Sequence, residues 1–193
     1  MLRAKFINKV TEVNKIYLEN IIQEGDVVVD ATMGNGYDTV YLAKKVGENG
    51  KVYAFDVQEE ALKSTTKKVN KEELNNVELI LDGHQNMDKY VKEEVSCIVF
   101  NLGYLPRAKH QIITKADTTL EAIKKGLELL KPNGVMSIAI YSGHEGGMEE
   151  KNEVYKYTET LDQNYFNVLC TKFINQINNP PELLLIEKKD KYI

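Results

Sequence analysis

Apolar residues recur along this chain at two distinct periods. Val10, Val13, Ile16, Tyr17, Leu18 and Ile21 fall at helical spacing ahead of Gly25 and predict an amphipathic helix. Nearly unbroken apolar runs follow, and they predict strands buried on both faces at about 27–32, 51–56, 77–82, 95–100 and 135–141. Helical spacing returns between them near 37–46, 58–75, 85–92 and 115–131; the last carries Leu120, Ile123, Leu127 and Leu130 and is stopped by Pro132 and Gly134. A helix near 148–162 and two strands, 167–175 and 183–187, complete the pattern.

Strands that alternate with helices imply βαβ units and a mainly parallel sheet with helices on both faces. The last two strands are joined by Gln176 to Glu182, a stretch with no helical pattern. So short a link permits only an antiparallel pair. The expected fold class is therefore α/β and Rossmann-like, a seven-stranded, mainly parallel sheet whose last strand is antiparallel. That arrangement resembles class I methyltransferases and departs from dinucleotide dehydrogenases. No repeat or second domain is visible, so residues 1–193 are expected to form one domain, with 1–24 as an N-terminal helical segment.

The turn after the first strand carries the most specific chemistry. Asp30-Ala31-Thr32-Met33-Gly34-Asn35-Gly36-Tyr37-Asp38-Thr39 reads as a strand end, a tight glycine turn and a helix start. The second strand ends in Asp56, an acid placed to take ribose hydroxyls in a doubly wound sheet. Thr39 stands where a dinucleotide fingerprint has its third glycine, and Asp30 and Asp38 would repel a pyrophosphate. Those carboxylates suit a cofactor that carries an ammonium and a sulfonium, S-adenosylmethionine. Gly34 and Gly36 allow close backbone approach. Asn35 fits either left-handed geometry or a contact with the methionine part, and Gln58 fits either a ribose contact or a helix start.

Three further strands also end in polar residues: Asp82-Gly83-His84, Asn101-Leu102-Gly103-Tyr104 and Tyr141-Ser142-Gly143-His144. In such sheets ligands sit beyond the carboxyl ends of the strands, so these point to one shared site. Asp82, Gly83 and His84 fall where an adenine ring would lie. Asn-Leu-Gly-Tyr resembles the loop with which amino-group methyltransferases hold a base, without its prolines. Methyl transfer is a direct displacement, so alignment of the amine dominates and no strong general base is required. Tyr104, Tyr141 and His144 are candidates for orienting the amine beside Asn101 or receiving its proton.

Composition narrows the partners. Leu2 and Phe6 stand among charged residues at the N-terminal end, with no signal-peptide pattern, and no run approaches the ~18 apolar residues of a membrane span. A cytoplasmic protein is expected. Cys97 and Cys170 lie in apolar stretches and are expected to be buried thiols, with no metal site at either. The net charge of −4 offers no overall attraction for nucleic acid. Any RNA contact must be local, with Arg107, Lys109 and Lys115 after the Asn101 loop as the first candidate and Arg3, Lys5 and Lys9 as the second.

Taken together, Asp-Ala-Thr-Met-Gly-Asn-Gly-Tyr-Asp-Thr, Ala-Phe-Asp-Val-Gln, Asp-Gly-His, Phe-Asn-Leu-Gly-Tyr-Leu-Pro, Tyr-Ser-Gly-His-Glu-Gly-Gly and the late Asn-Asn-Pro-Pro resemble a family of small bacterial class I enzymes. These were long labelled rRNA methylases and are associated with the tRNA 5-(aminomethyl)-2-thiouridine methyltransferase. The resemblance runs along essentially the whole chain. It implies methylation of the aminomethyl nitrogen of the wobble uridine, S-adenosylmethionine as cofactor, and the anticodon loop of tRNA as partner. It also implies cofactor contacts at Met33, Asn35, Asp56, Gln58, Gly83 and His84. A methyltransferase of another amine and a nucleotide-dependent oxidoreductase or nucleoside-binding domain are the alternatives. A homodimer is compatible with the sequence, which does not fix the oligomeric state.

Overall fold

Hydrophobic continuity dictates the centre of the molecule. In the computed structural model, which describes residues 4, 7–103 and 113–190, seven strands form one sheet in the order β3-β2-β1-β4-β5-β7-β6. The strands are β1 (Val27–Asp30), β2 (Lys51–Asp56), β3 (Val77–Leu81), β4 (Val95–Leu102), β5 (Leu130–Ile140), β6 (Phe166–Thr171) and β7 (Glu182–Lys188). The pairs from β3 through to β5 are parallel, whereas β7 runs antiparallel to both β5 and β6. The helix-free link thus does reverse the last strand.

Alternating side chains face two helical layers. Val28, Val52, Cys97 and Val99 pack with Leu18, Ile22, Leu42 and Val46 of the layer formed by α1 (Val10–Ile21) and α2 (Tyr37–Val46). Val29, Phe55, Ile98, Phe100 and Ile138 face the opposite layer, with Met87, Ile123 and Val154. That layer contains α4 (Met87–Tyr90), α5 (Ala116–Leu129) and α6 (Gly147–Thr158). The remaining helix, α3 (Glu59–Lys71), lies against β2 and β3. At roughly 25 cal/mol per Å², these two buried faces are the main source of stability.

Three features depart from the sequence reading. β5 begins at Leu130, inside the stretch assigned to the preceding helix. Its register against β4 shifts between Val95 and Cys97, and Lys131 to Gly134 take up the slack, with Asn133 left-handed at φ 62°. Pro132 and Gly134 therefore shape an excursion within β5 in addition to ending α5. Cys97 is buried, but Cys170 is exposed. It lies on β6, an edge strand covered by no helix, so its apolar neighbours do not mark a core position. Burial pushes the Cys97 thiol up to about 12. Finally, β6 stops at Thr171 rather than continuing to Asn175. Among the described residues no helix is long and apolar enough to cross a membrane.

Candidate active site

The glycine turn is built by hydrogen bonds that converge from three strands. The Ala31 N–H donates to the Val99 carbonyl at 2.8 Å and the Met33 N–H to that of Phe55 at 2.8 Å, which fixes the turn across β4 and β2. The Gly34 N–H donates to the Asp56 carboxylate at 3.0 Å. Gly34 and Gly36 adopt φ values of 49° and 77°. A side chain on Gly36 would place its Cβ 2.9 Å from the Thr65 Cα on α3, so both conformation and space demand glycine.

Asp30 lies fully buried beneath this turn. It accepts from the Thr39 hydroxyl at 2.6 Å and from the Thr32 N–H at 3.2 Å. Burial pushes its carboxyl up to about 7, with the charge of Asp38 adding to the effect and the two hydrogen bonds opposing it. Asp30 therefore shapes the turn from below. Burial also raises the Asp56 carboxyl, against the N–H groups of Gln58, Gly34 and Val57.

A cleft of about 1280 Å³ opens above the strand ends and is lined by Met33, Gly34, Asn35, Asp56 and Gln58. Asp82, Gly83, His84, Asn101, Tyr141 and His144 line the same cleft. Gln58 stands at the start of α3, yet its side chain caps nothing, which leaves the amide to the cleft. The two Asp82 oxygens accept from Gly83, Asn86 and Tyr90 at 2.7–2.9 Å, so this acid organises the turn after β3. His84 lies edge-on to Phe100, and its Nδ1 stands 3.2 Å from the Ala31 carbonyl. A carbonyl only accepts, so Nδ1 carries a proton; burial lowers the ring pKa and favours the neutral form.

The acceptor end gathers around Gly103. The Asn101 N–H donates to the Thr32 hydroxyl at 2.7 Å, and its side-chain amide donates to Asp38 Oδ2 at 2.8 Å. A Cβ on Gly103 would meet Tyr141 Cβ at 3.4 Å and His144 Nε2 at 3.7 Å. Burial, then the charge of Asp38, raises the Tyr141 phenol, so this group stays an O–H near neutral pH. Tyr104, Arg107 and Lys109 lie outside the described residues, as do Arg3 and Lys5. Lys115 is exposed just before α5, and Lys9 is exposed at the start of α1.

Several contributors escaped the sequence reading. Thr32 and Asp38 bracket Asn101 from the glycine turn. Glu150 is buried on α6 and accepts from Thr114 at 2.7 Å and Thr119 at 2.6 Å. Thr114 in turn is paired to both the N–H and the carbonyl of Gly103. A signal for Glu150 does exist, since it shares a helical stripe with Gly147, Val154 and Thr158. Asn179 and Pro181 reach the cleft wall from the β6–β7 link, where Asn178 and Asn179 are both left-handed. The late Asn-Asn-Pro-Pro run is the trace of that geometry.

Residues 52–187, more than half of the chain, match the family model described as Putative rRNA methylase. The chain is 40% identical over 195 residues to the chloroplastic tRNA (mnm(5)s(2)U34)-methyltransferase of Arabidopsis thaliana, covering 94% of this chain and 70% of that protein. A crystal structure described as a "putative rRNA-methylase" from Clostridium thermocellum superimposes with a TM-score of 0.92 at 48% identity, over 94% of this chain and 98% of the other. A "putative methyltransferase" from Streptococcus mutans in complex with SAH gives a TM-score of 0.87 at 45% identity, over 94% of this chain and 99% of the other. With its glycine turn, paired strand-end acids and reversed last strand, the chain belongs to the Putative rRNA methylase family and has the class I methyltransferase fold.

Proposed function

We propose that this chain, an S-adenosylmethionine-dependent methyltransferase by family, methylates the aminomethyl nitrogen of 5-aminomethyl-2-thiouridine at the wobble position of tRNA. The observation that carries the reading is Asn101, held at the acceptor end of the cleft that Asp56 and the glycine turn close at the other end. The relative in Arabidopsis supports the nucleoside and the tRNA.

The cleft fits the cofactor. Asp56 uses one lone pair on each oxygen for Gly34 and Gln58, which leaves acceptor capacity on both for ribose hydroxyls. Gly34, Asn35 and Gly36 permit backbone approach to the methionine part, and Met33, Gly83 and His84 form the adenosine wall. At about 1280 Å³ the volume exceeds the ~300–1,000 Å³ of a typical small-ligand pocket, so room remains for an acceptor base.

S-adenosylmethionine, when bound, supplies an electrophilic methyl: a nitrogen–carbon bond forms as the carbon–sulfur bond breaks, its electron pair stays on sulfur, and the surplus proton leaves the product ammonium for water. The chain supplies alignment. Asn101 accepts an N–H of the neutral amine and so directs its lone pair. Tyr141 and His144 border the same point and orient the base. An anticodon-loop base is unpaired, so unstacking it costs least. Lys115, with Arg107 and Lys109, is the expected phosphate contact.

The test is methylation by the purified protein of tRNA that carries the aminomethyl group, read by nucleoside mass spectrometry. Gain of one methyl on that nucleoside is expected. Methylation of a small amine or a protein with none on this tRNA would overturn the assignment.

A further inference from the structure

We propose that Asp38 is a positioning residue that holds the Asn101 carboxamide with its nitrogen turned inward and its oxygen presented to the acceptor amine. The inference rests on the reading of this cleft as an amine methyltransferase site.

The two ends of a carboxamide are identified by their partners. Asn101 Nδ2 stands 2.8 Å from Asp38 Oδ2. An ionised carboxylate only accepts, so the amide nitrogen belongs on the Asp38 side and Oδ1 on the other. The backbone of Asn101 is fixed independently by the Thr32 hydroxyl at 2.7 Å. Both holds come from the segment around the glycine turn, Thr32 before it and Asp38 in the first turn of α2. There the partial positive charge of the helix N-terminus favours a carboxylate. Asp38 and Asn101 both line the cleft.

This orientation decides whether the amine can react. Oδ1 accepts an N–H and leaves the nitrogen lone pair free for the methyl carbon. A flipped amide would present its NH2 group and donate into that lone pair, tying up the electrons that must form the new bond. An asparagine at this position is therefore productive in one of its two flips, and Asp38 selects that flip. The glycine turn that would hold the cofactor thereby also orients the residue that would hold the acceptor.

The contact can be exchanged. In Asp38→Asn the Asn101 amide loses its fixed partner. In Asn101→Asp two carboxylates face each other at hydrogen-bond distance. The double variant swaps the two groups: the amide introduced on α2 donates to the carboxylate introduced at the end of β4, which again turns an oxygen to the amine. Single-turnover methylation of aminomethyl tRNA at saturating cofactor should fall about tenfold to a hundredfold in each single variant. It should rise in the double variant above both singles. Calorimetry should show S-adenosylmethionine affinity for Asp38→Asn within about threefold of wild type, as expected for a loss confined to the chemical step. A double variant as slow as the product of the singles, or a large loss of cofactor affinity, overturns the proposal. The side-chain amide resonances of Asn101 in the nitrogen-15-labelled protein report the contact without any substrate. They should be protected from exchange in wild type and not in Asp38→Asn, and unprotected resonances in wild type overturn the proposal. A wild-type protein inactive on this tRNA refutes the substrate reading alone, because the amide resonances still decide the Asp38 contact.

Discussion

The Gly34 amide and the Asp56 carboxylate meet at 3.0 Å although 22 positions separate them in the chain. The acid at the end of β2 thus shapes the glycine turn after β1 as well as offering its free lone pairs to a ribose. Asp56→Ala removes both contributions. Cofactor binding should weaken by about 1.5–3 kcal/mol, roughly tenfold or more, and by more than any single change at Gln58 causes. Calorimetric titration with S-adenosylmethionine checks this, and unchanged affinity in a folded variant would remove Asp56 from the site.

Gly36→Ala should destabilise the fold itself. The residue sits at φ 77°, and a Cβ there would approach the Thr65 backbone Cα to 2.9 Å. A strained left-handed position costs about 1–3 kcal/mol, and the crowding adds to it. The midpoint of urea unfolding should fall accordingly. Because the close atom is backbone, Thr65→Ala should not restore it.

Asp30 should make stability depend on pH. Its folded pKa of about 7 lies above the ordinary 3.8, so within that window the folded state binds a proton that the unfolded state has released. Stability from this group is complete below the window and is lost as pH rises through it. Asp30→Asn removes the titration while an amide can still meet Thr32 and Thr39. The difference between wild-type and variant melting temperatures should therefore shift steadily in the variant's favour from about pH 5 to about pH 8, by an amount on the order of a few kcal/mol. A difference that stays flat across that range would contradict the account.

Glu150 should separate acceptor handling from cofactor binding. Its oxygens take the hydroxyls of Thr114 and Thr119, and Thr114 is paired to Gly103 beside Asn101. Glu150→Ala leaves these hydroxyls without their acceptor, at a cost of about 1–3 kcal/mol for a buried group. Methylation should slow while S-adenosylmethionine affinity stays near wild type. Equal loss of both would show that α6 supports the whole site rather than its acceptor end.

Fold and cofactor half were legible because their signals are local. Val27–Asp30 and the two glycines announce a strand and a turn by composition, and the short Gln176–Glu182 link forces an antiparallel pair. The acceptor half was legible only in part, because its contacts join residues remote in sequence. Asn101 and Asp38 are 63 positions apart, and nothing local says that one orients the other. Thr114 and Glu150 are 36 apart, across helices. Cys170 misled because an apolar neighbourhood does not distinguish an edge strand from a central one. Asn178 and Asn179 carried a signal of left-handed backbone, but only the packed structure brings Asn179 to the cleft.

The central claim is that Asn101 and its surroundings serve a wobble-uridine amine. Nucleoside mass spectrometry of tRNA from a strain deleted for this gene tests it most directly, with complementation by wild type and by Asn101→Ala. The deletion should accumulate 5-aminomethyl-2-thiouridine and lose its methylated product. Wild type should restore the product, and Asn101→Ala should fail to do so although it still binds S-adenosylmethionine. Persistence of the methylated nucleoside in the deletion strain, or full restoration by Asn101→Ala, would contradict the account.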